Sequence, residues 1–433
     1  MRSPVRGYCA PLLLAAICSP VFQAFAQPAA GAAPQVLAPT PVGARVLTLD
    51  EALRLALLHN PGLAGAQLEL QAMEAAEMQA EARPNPELGV LVEDTNSATR
   101  TTTVQWAQPI ELGGKRAARQ AAAARAREQA AVALQAKQAE LRATVASAFF
   151  ELLGAQEQVR LSTASLDLAR NATGIAAKRL QAGKVPPLEQ AKAQVAEAAV
   201  RTELAQAQSE QMLARQRLVA LWGKAASAFD VAQGNAEVLP DLPSDRLVGE
   251  LMAQAPAIRL AQLDVARRQA LTEGERAKRI PDVTVTMGAK RAAETGRTQA
   301  VIGLAIPLPI MDSNKGNLLE ALRREEQARE TLTGAELQLQ AEVSQALERL
   351  RLTRQQVQLL RGEVLPIAQS AYDAAVKGYE LGKFAFLDVL DAQRTLFQLR
   401  QQALRGAADA YRAAADLDRL LGQNTRPAGQ SQE

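Results

Sequence analysis

The chain has 433 residues, of which 48% are apolar, 22% charged and only 3% aromatic, so the bulky side chains that fill ordinary multi-domain cores are scarce. Ala, Leu, Gln, Arg and Glu dominate instead, the composition of long helices and coiled coils. A net charge of +3, from 49 basic and 46 acidic residues, argues against a nucleic-acid-binding surface, and no run of 18 apolar residues follows the N-terminus to form a transmembrane helix.

Arg2 and Arg6, the apolar stretch 10–22 and the small-x-small sequence Ala24-Phe25-Ala26 read as a signal peptide over residues 1–26. Cys9 and Cys18 both fall inside it. Ile17 stands where lipid attachment at Cys18 would want a small residue. The mature chain, starting at Gln27, then has no disulfide, no thiolate metal site and no cysteine nucleophile. Its charge falls to +1, because two arginines and no acid leave with the signal.

Residues 27–46 form a Pro-, Ala- and Gly-rich extended leader. A capping box, Thr48-Leu49-Asp50-Glu51, opens a helix that stops at Asn60-Pro61. A second helix runs from Gly62 to Arg83 and ends before Pro84. The period then becomes two. Strands over 87–94 and 100–108 make a hairpin that Pro109 ends, with Thr102, Val104 and Trp106 on one face and Thr101, Thr103, Gln105 and Ala107 on the other. From Lys115 to Gln181 a heptad seam steps through Leu141, Val145, Ala148, Leu152 and on to Leu180, predicting one helix about 100 Å long. Gly183 breaks it, Pro186-Pro187 starts the next helix, and that helix reaches Trp222.

After a linker over 223–244 the pattern repeats. A short helix from Ser244-Asp245 ends at Ala255-Pro256, and another leads to Pro281. A second hairpin spans 282–306, and a long helix runs from Asn317 to Leu381. Its seam passes through Leu339, Val343, Leu350, Val357, Ile367, Ala371 and Ala374, with a kink expected at Pro366. Gly382 breaks it, and a last helix extends to Leu421 before a polar tail, 422–433. The chain is a tandem duplication: repeat one over 47–222 with its helical hairpin at 115–222, repeat two over 245–421 with its helical hairpin at 317–421.

Four strands of about nine residues have the length of tilted membrane strands. A membrane sheet has to close, and closed barrels start at 8 strands, so a dimer or a trimer is required. Val104, Trp106, Val283, Val285, Ile302 and Leu304 would then face lipid, and Thr103, Gln105, Thr284, Thr286, Gly303 and Ala305 a wet lumen. The alternative is two half-buried hairpins on a soluble coiled-coil protein, such as a periplasmic adaptor or scaffold. Enzymatic residues are sparse. His59 is the one histidine and sits at a helix end, and Gly113-Gly114-Lys115-Arg116 lacks phosphate-loop spacing. Met73, Met78 and Met252 are scattered at helical packing positions. No cofactor and no metal site is expected.

Three stretches carry a resemblance: Leu47 to Leu53 with Asn60-Pro61, Gln108 to Arg116, and Gly382 with Phe386 to Gln393. With them the chain resembles the TolC-like outer membrane efflux protein family over about residues 46–422. The resemblance implies a mainly α fold with a membrane β part: a homotrimer whose 12-stranded outer-membrane barrel sits on a long periplasmic helical barrel. It also implies a Gram-negative outer membrane, a periplasmic adaptor and an inner-membrane RND transporter as partners, outer-membrane lipid, and no nucleic acid. The Pro-Ile-Glu-Leu-Gly-Gly-Lys-Arg stretch is most similar to the branch exporting divalent heavy metals. A duct for organic toxicants or type I secretion is the alternative. Carried over by position, Asp388, Asp391, Glu189 and Tyr379 would form the periplasmic aperture. Gly183, Lys184, Gly382 and Lys383 would form tips that meet the adaptor. Phe384 stands where the family's closing network has arginine, so that lock is missing or rebuilt from Lys383 or Lys184. As local structure alone, Asp388 and Asp391 are first-turn acids, and the glycines are helix C-caps.

Overall fold

The computed structural model describes residues 45–223, 229–234, 238–381, 383–384 and 386–422. The expected signal peptide with its two cysteines, nearly all of the expected leader, Gly382 and residues 423–433 lie outside the described residues. The elements in chain order are β1 (Val46–Leu47), α1 (Leu49–His59), α2 (Pro61–Glu81), β2 (Glu87–Glu93), β3 (Thr101–Ile110), α3 (Lys115–Gln181) and α4 (Pro187–Ala220). Then come β4 (Val231–Ala232), α5 (Asp245–Met252), α6 (Pro256–Ala277), β5 (Val283–Ala292), β6 (Thr298–Ala305), α7 (Lys315–Leu359), a π turn (Leu360–Val364), α8 (Leu365–Glu380) and α9 (Phe386–Leu421).

The helix ends follow from their capping residues. Thr48 caps α1 by accepting from the Glu51 N–H at 3.3 Å. Asn60 ends α1 and caps α2: its side-chain oxygen accepts from the Leu63 N–H at 3.0 Å, and its amide donates to the Leu221 carbonyl at 2.8 Å. That one side chain, worth about 1 kcal/mol as a cap, seats the start of α2 on the end of α4. The second repeat builds the same joint without a polar cap. Gly422, at φ 68°, closes α9 against Pro256 at the start of α6, where a Cβ would lie 2.7 Å from the proline ring.

The duplication produces a ribbon of four lateral positions. In the sheet the order is β2-β3-β5-β6, antiparallel throughout. Beside the sheet, α2 packs on α3, α3 on α6, and α6 on α7. Further along, α4 packs on α3, α3 on α9, and α9 on α7 and α8. The same four-column order thus runs from end to end, and α3, 67 residues long, extends through both helical tiers. The short helices α1 and α5 pack on α3 and α9. Their cores are Trp222, Phe149, Leu152 and Leu218 in one repeat, and Val343, Leu350 and Leu417 in the other.

Three expectations need correction. Pro109 ends the β2–β3 ladder, whose last pair is Glu87 with Ala107, but β3 continues to Ile110 against β5. A proline is tolerated there because β2 no longer flanks that stretch. The linker carries a two-residue strand, Val231–Ala232, that pairs in parallel with Val46–Leu47 ahead of α1, too short to leave a pattern. Third, the turn that leads into Pro366 is a π turn and not a regular α turn. The residue four before it is Gly362, inside the π turn, and the Leu365 N–H reaches back five residues to the Leu360 carbonyl. Widening the turn relieves the clash a proline ring makes with the carbonyl four residues before it, here that of Gly362. It also inserts one residue, so the seam slips. Ile367, Ala371 and Ala374 are exposed, whereas Ala375 and Tyr379 are buried and Ala368 and Tyr372 half-buried. Before the π turn the seam is as the heptads require, with Leu339, Val343, Leu350 and Val357 all buried.

Candidate functional site

The sheet register decides which side chains share a face. Val104 is opposite Val90, Ala289 is opposite both Val104 and Ala300, and Trp106 is opposite Leu88 and Met287. Ile302 pairs with Met287, Leu304 with Val285, and Val283 with Ile110. Val104, Trp106, Val283, Val285, Ile302 and Leu304 therefore share one face, and it is an apolar one: Trp106 is 41%, Leu304 65% and Ile302 81% exposed. The opposite face carries Thr103, Gln105, Thr284, Thr286, Gly288 and Gly303. Thr103 is buried there, and a Cβ on Gly288 would overlap the Val104 carbonyl oxygen and lie 3.0 Å from Gln105 Cα.

Where the sheet joins the helices, the Glu111 to Arg119 stretch locks four elements together. Gly113, at φ 73°, lets the chain pass Ile280 and Ala277, whose Cβ and carbonyl oxygen would lie 2.8 and 2.9 Å from an added Cβ. Gly114, at φ 80°, starts α3. Lys115 pairs with Asp282 at 2.7 Å, and the Leu112 N–H donates to the same oxygen at 3.0 Å. Burial alone would raise the Asp282 carboxyl, but those two donors outweigh it and hold it below the usual range. Arg119 grips Glu111 at 2.7 Å and holds that carboxyl low. Arg119 and Arg116 also donate to the carbonyls of Ala80, Ala82 and Glu81, the orphan acceptors at the end of α2. This accounts for the glycines and cations of the stretch as a structural joint.

The far ends of the helical hairpins hold the other candidates. Gly183 is left-handed at φ 70°, and the Lys184 N–H donates to the Arg179 carbonyl at 2.9 Å. The Lys383 N–H donates to the Gly378 carbonyl at 2.8 Å, the same six-to-one closure 199 residues later. Lys184 and Lys383 are exposed, and Gly382 lies outside the described residues. Behind the tips a small cluster of Ala176, Ala193, Ala375, Tyr379 and Val389 draws on all four helices.

Tyr379 is the pivot of that cluster, and its partner is a residue sequence reasoning missed. The Arg179 guanidinium lies 4.2 Å from the Tyr379 ring centroid, and its Nη2 is 3.5 Å from the Tyr379 carbonyl oxygen. Burial raises the phenol above its ordinary value; Arg179 opposes this and Glu189 adds to it. Phe384 covers Gly378, leaving no room for a side chain there. The repeat offset carried the missing signal, since residue 179 plus 199 is 378, which sets Arg179 beside the equivalent turn of α8.

Asp388 and Asp391 are three apart on the first turns of α9, and both are exposed. They line a groove of about 760 Å³ between α4 and α9, together with Glu203 and Glu210. Gln393 in its floor is buried and donates to Ser165 Oγ at 3.4 Å. Glu189 is half-buried in the first turn of α4. Among the described residues there is no cluster of three or more His, Cys, Asp or Glu able to hold a metal ion, and no helix is long and apolar enough to cross a membrane.

A two-hairpin sheet with one apolar face, continued by a four-column helical ribbon, defines an outer-membrane channel protomer. The outer membrane efflux protein model matches residues 52–224 and 247–423, and the chain belongs to that family. It is an outer-membrane protein and not an enzyme. Among relatives, the cobalt-zinc-cadmium resistance protein CzcC of Cupriavidus metallidurans is 45% identical over 377 residues, covering 87% of this chain and 90% of CzcC. The pyoverdine export outer membrane protein OpmQ of Pseudomonas aeruginosa is 29% identical over 64% of this chain and 60% of OpmQ. The open-state structure of the MtrE outer membrane channel of Neisseria gonorrhoeae superposes with a TM-score of 0.76 at 21% identity, over 88% of this chain and 91% of MtrE.

Proposed function

We propose that three copies of this chain close into a 12-stranded outer-membrane barrel on a helical duct, through which divalent heavy-metal cations leave the cell. The observation that carries this reading is the ribbon itself. Four strands leave β2 and β6 as open edges, and open edges are not stable in lipid. The apolar face of Val104, Trp106, Val283, Val285, Ile302 and Leu304 suits lipid, and the small and polar face suits a wet lumen. The cargo follows the relatives. Identity to CzcC is 45% across nearly both chains, against 29% across under two thirds of each for the pyoverdine exporter.

The duct works with a periplasmic adaptor, met by the tips around Gly183, Lys184, Gly382 and Lys383, and with an inner-membrane RND transporter that supplies the energy. The aperture is formed by Asp388, Asp391, Glu189 and Tyr379. Repeated three times, Asp388 and Asp391 make two acidic rings, which concentrate cations without holding them. The test is Asp388→Asn with Asp391→Asn in planar bilayers. Cation preference is expected to fall with trimers intact, and unchanged selectivity would remove both residues from the aperture.

A further inference from the structure

At its far end the apolar face of the sheet changes character. The row after Val90, Val104, Ala289 and Ala300 is Val92, Thr102, Arg291 and Thr298, all on the same face by register. Arg291 stands directly between Thr102 and Thr298, close enough across each ladder for a guanidinium and two hydroxyls to reach one group. From Val283 to Arg291 is about 27 Å of strand, or about 21 Å of height at a tilt near 40°. That sets Arg291 at the upper rim of a membrane band, on the side away from the helices.

The neighbouring charges leave this arginine available. Lys290 faces the other side of the sheet and pairs there with Glu93 at 3.1 Å. The Asp94 carboxylate is committed to its own turn, accepting from the Asn96 N–H at 3.0 Å and from the Thr99 hydroxyl. Arg100, one row further out, donates to the Thr95 carbonyl at 3.2 Å. Arg291 is exposed, with no ion-pair partner among the described residues. An arginine flanked by two hydroxyls matches a phosphate group, which takes a bidentate fork and further hydrogen bonds.

We infer that Thr102, Arg291 and Thr298 form a binding site for the phosphate of an anionic glycolipid in the outer leaflet, whose acyl chains lie along the apolar face below. The inference rests on the reading that this face meets lipid. Charge complementarity and continuity with the apolar band commit the occupant to a lipid rather than a soluble anion.

The experiment is native mass spectrometry of the detergent-purified full chain with bis-phosphorylated lipid A and with the same lipid A after phosphatase treatment. The wild type is expected to retain the phosphorylated form about tenfold better, the effect of one charge-assisted contact. Arg291→Gln should bring the two forms level, and Arg291→Lys should fall between. Equal retention of both forms by the wild type, or a preference that survives Arg291→Gln, overturns the site while leaving the lipid-facing band intact. Displacement by millimolar inorganic phosphate overturns the lipid as its occupant. A wild-type chain that binds neither form and stays dispersed without detergent overturns the lipid-facing reading as well.

Discussion

Gly288→Val is expected to abolish the folded barrel. The centre of the β3–β5 ladder brings the backbone of Val104 and Gln105 against residue 288, and an added Cβ overlaps the Val104 carbonyl oxygen. That oxygen is backbone and cannot swing away as a flexible side chain would. Valine adds two further methyls in the same space. The ladder either opens or shifts, and a shift of one residue would turn every apolar side chain of β5 to the other face. The cost is expected to exceed about 4 kcal/mol, at the extreme for one substitution. Gly303→Val is the control. It is on the same face, in the next strand, yet its nearest neighbour is Thr286 Cβ at an ordinary 3.7 Å. Unboiled gels of outer-membrane fractions check both: the heat-modifiable band should vanish for Gly288→Val and persist for Gly303→Val.

The second large effect is expected at the tips. Arg179 on α3 and Tyr379 on α8 tie one helical hairpin to the other. A partly desolvated cation–π pair is worth about 1–2 kcal/mol. The guanidinium also sits by the Tyr379 carbonyl in the last turn of α8, where a cation is favoured. Arg179→Ala should loosen the pair and raise the single-channel conductance several-fold. Tyr379→Phe keeps the ring and should stay near the wild type. Equal effects of the two substitutions would place the contact in the phenol hydroxyl instead.

Much of this architecture was legible because local chemistry and global order agree. Asn60-Pro61, Gly114 and Gly183 punctuate the helices where a cap or a left-handed residue is physically needed. The alternation within β3 and within β5 is fixed by the pleat and could be read from spacing, whereas the register that brings Trp106, Met287 and Ile302 onto one face comes from the ladders. Heptad counting failed after Leu360 because it assumes a constant number of residues per turn, and the π turn adds one. The tips were harder. Position-by-position transfer placed an arginine at Phe384 and stopped there, while the arginine that meets Tyr379 comes from the other repeat, 200 residues earlier. The glycines of the Gln108 to Arg116 stretch could be recognised as special, but that Gly113 admits Ile280 and Ala277 depends on packing between repeats.

The central claim is export of divalent heavy metals, and growth tests it most directly. A strain lacking this gene, with and without the gene restored, is to be grown on zinc, cobalt, cadmium, nickel, copper and silver beside dyes, detergents and antibiotics. Sensitivity to zinc, cobalt or cadmium that the restored gene reverses, with organic toxicants unaffected, is the expected result. Sensitivity to organic toxicants with normal growth on every metal would contradict it.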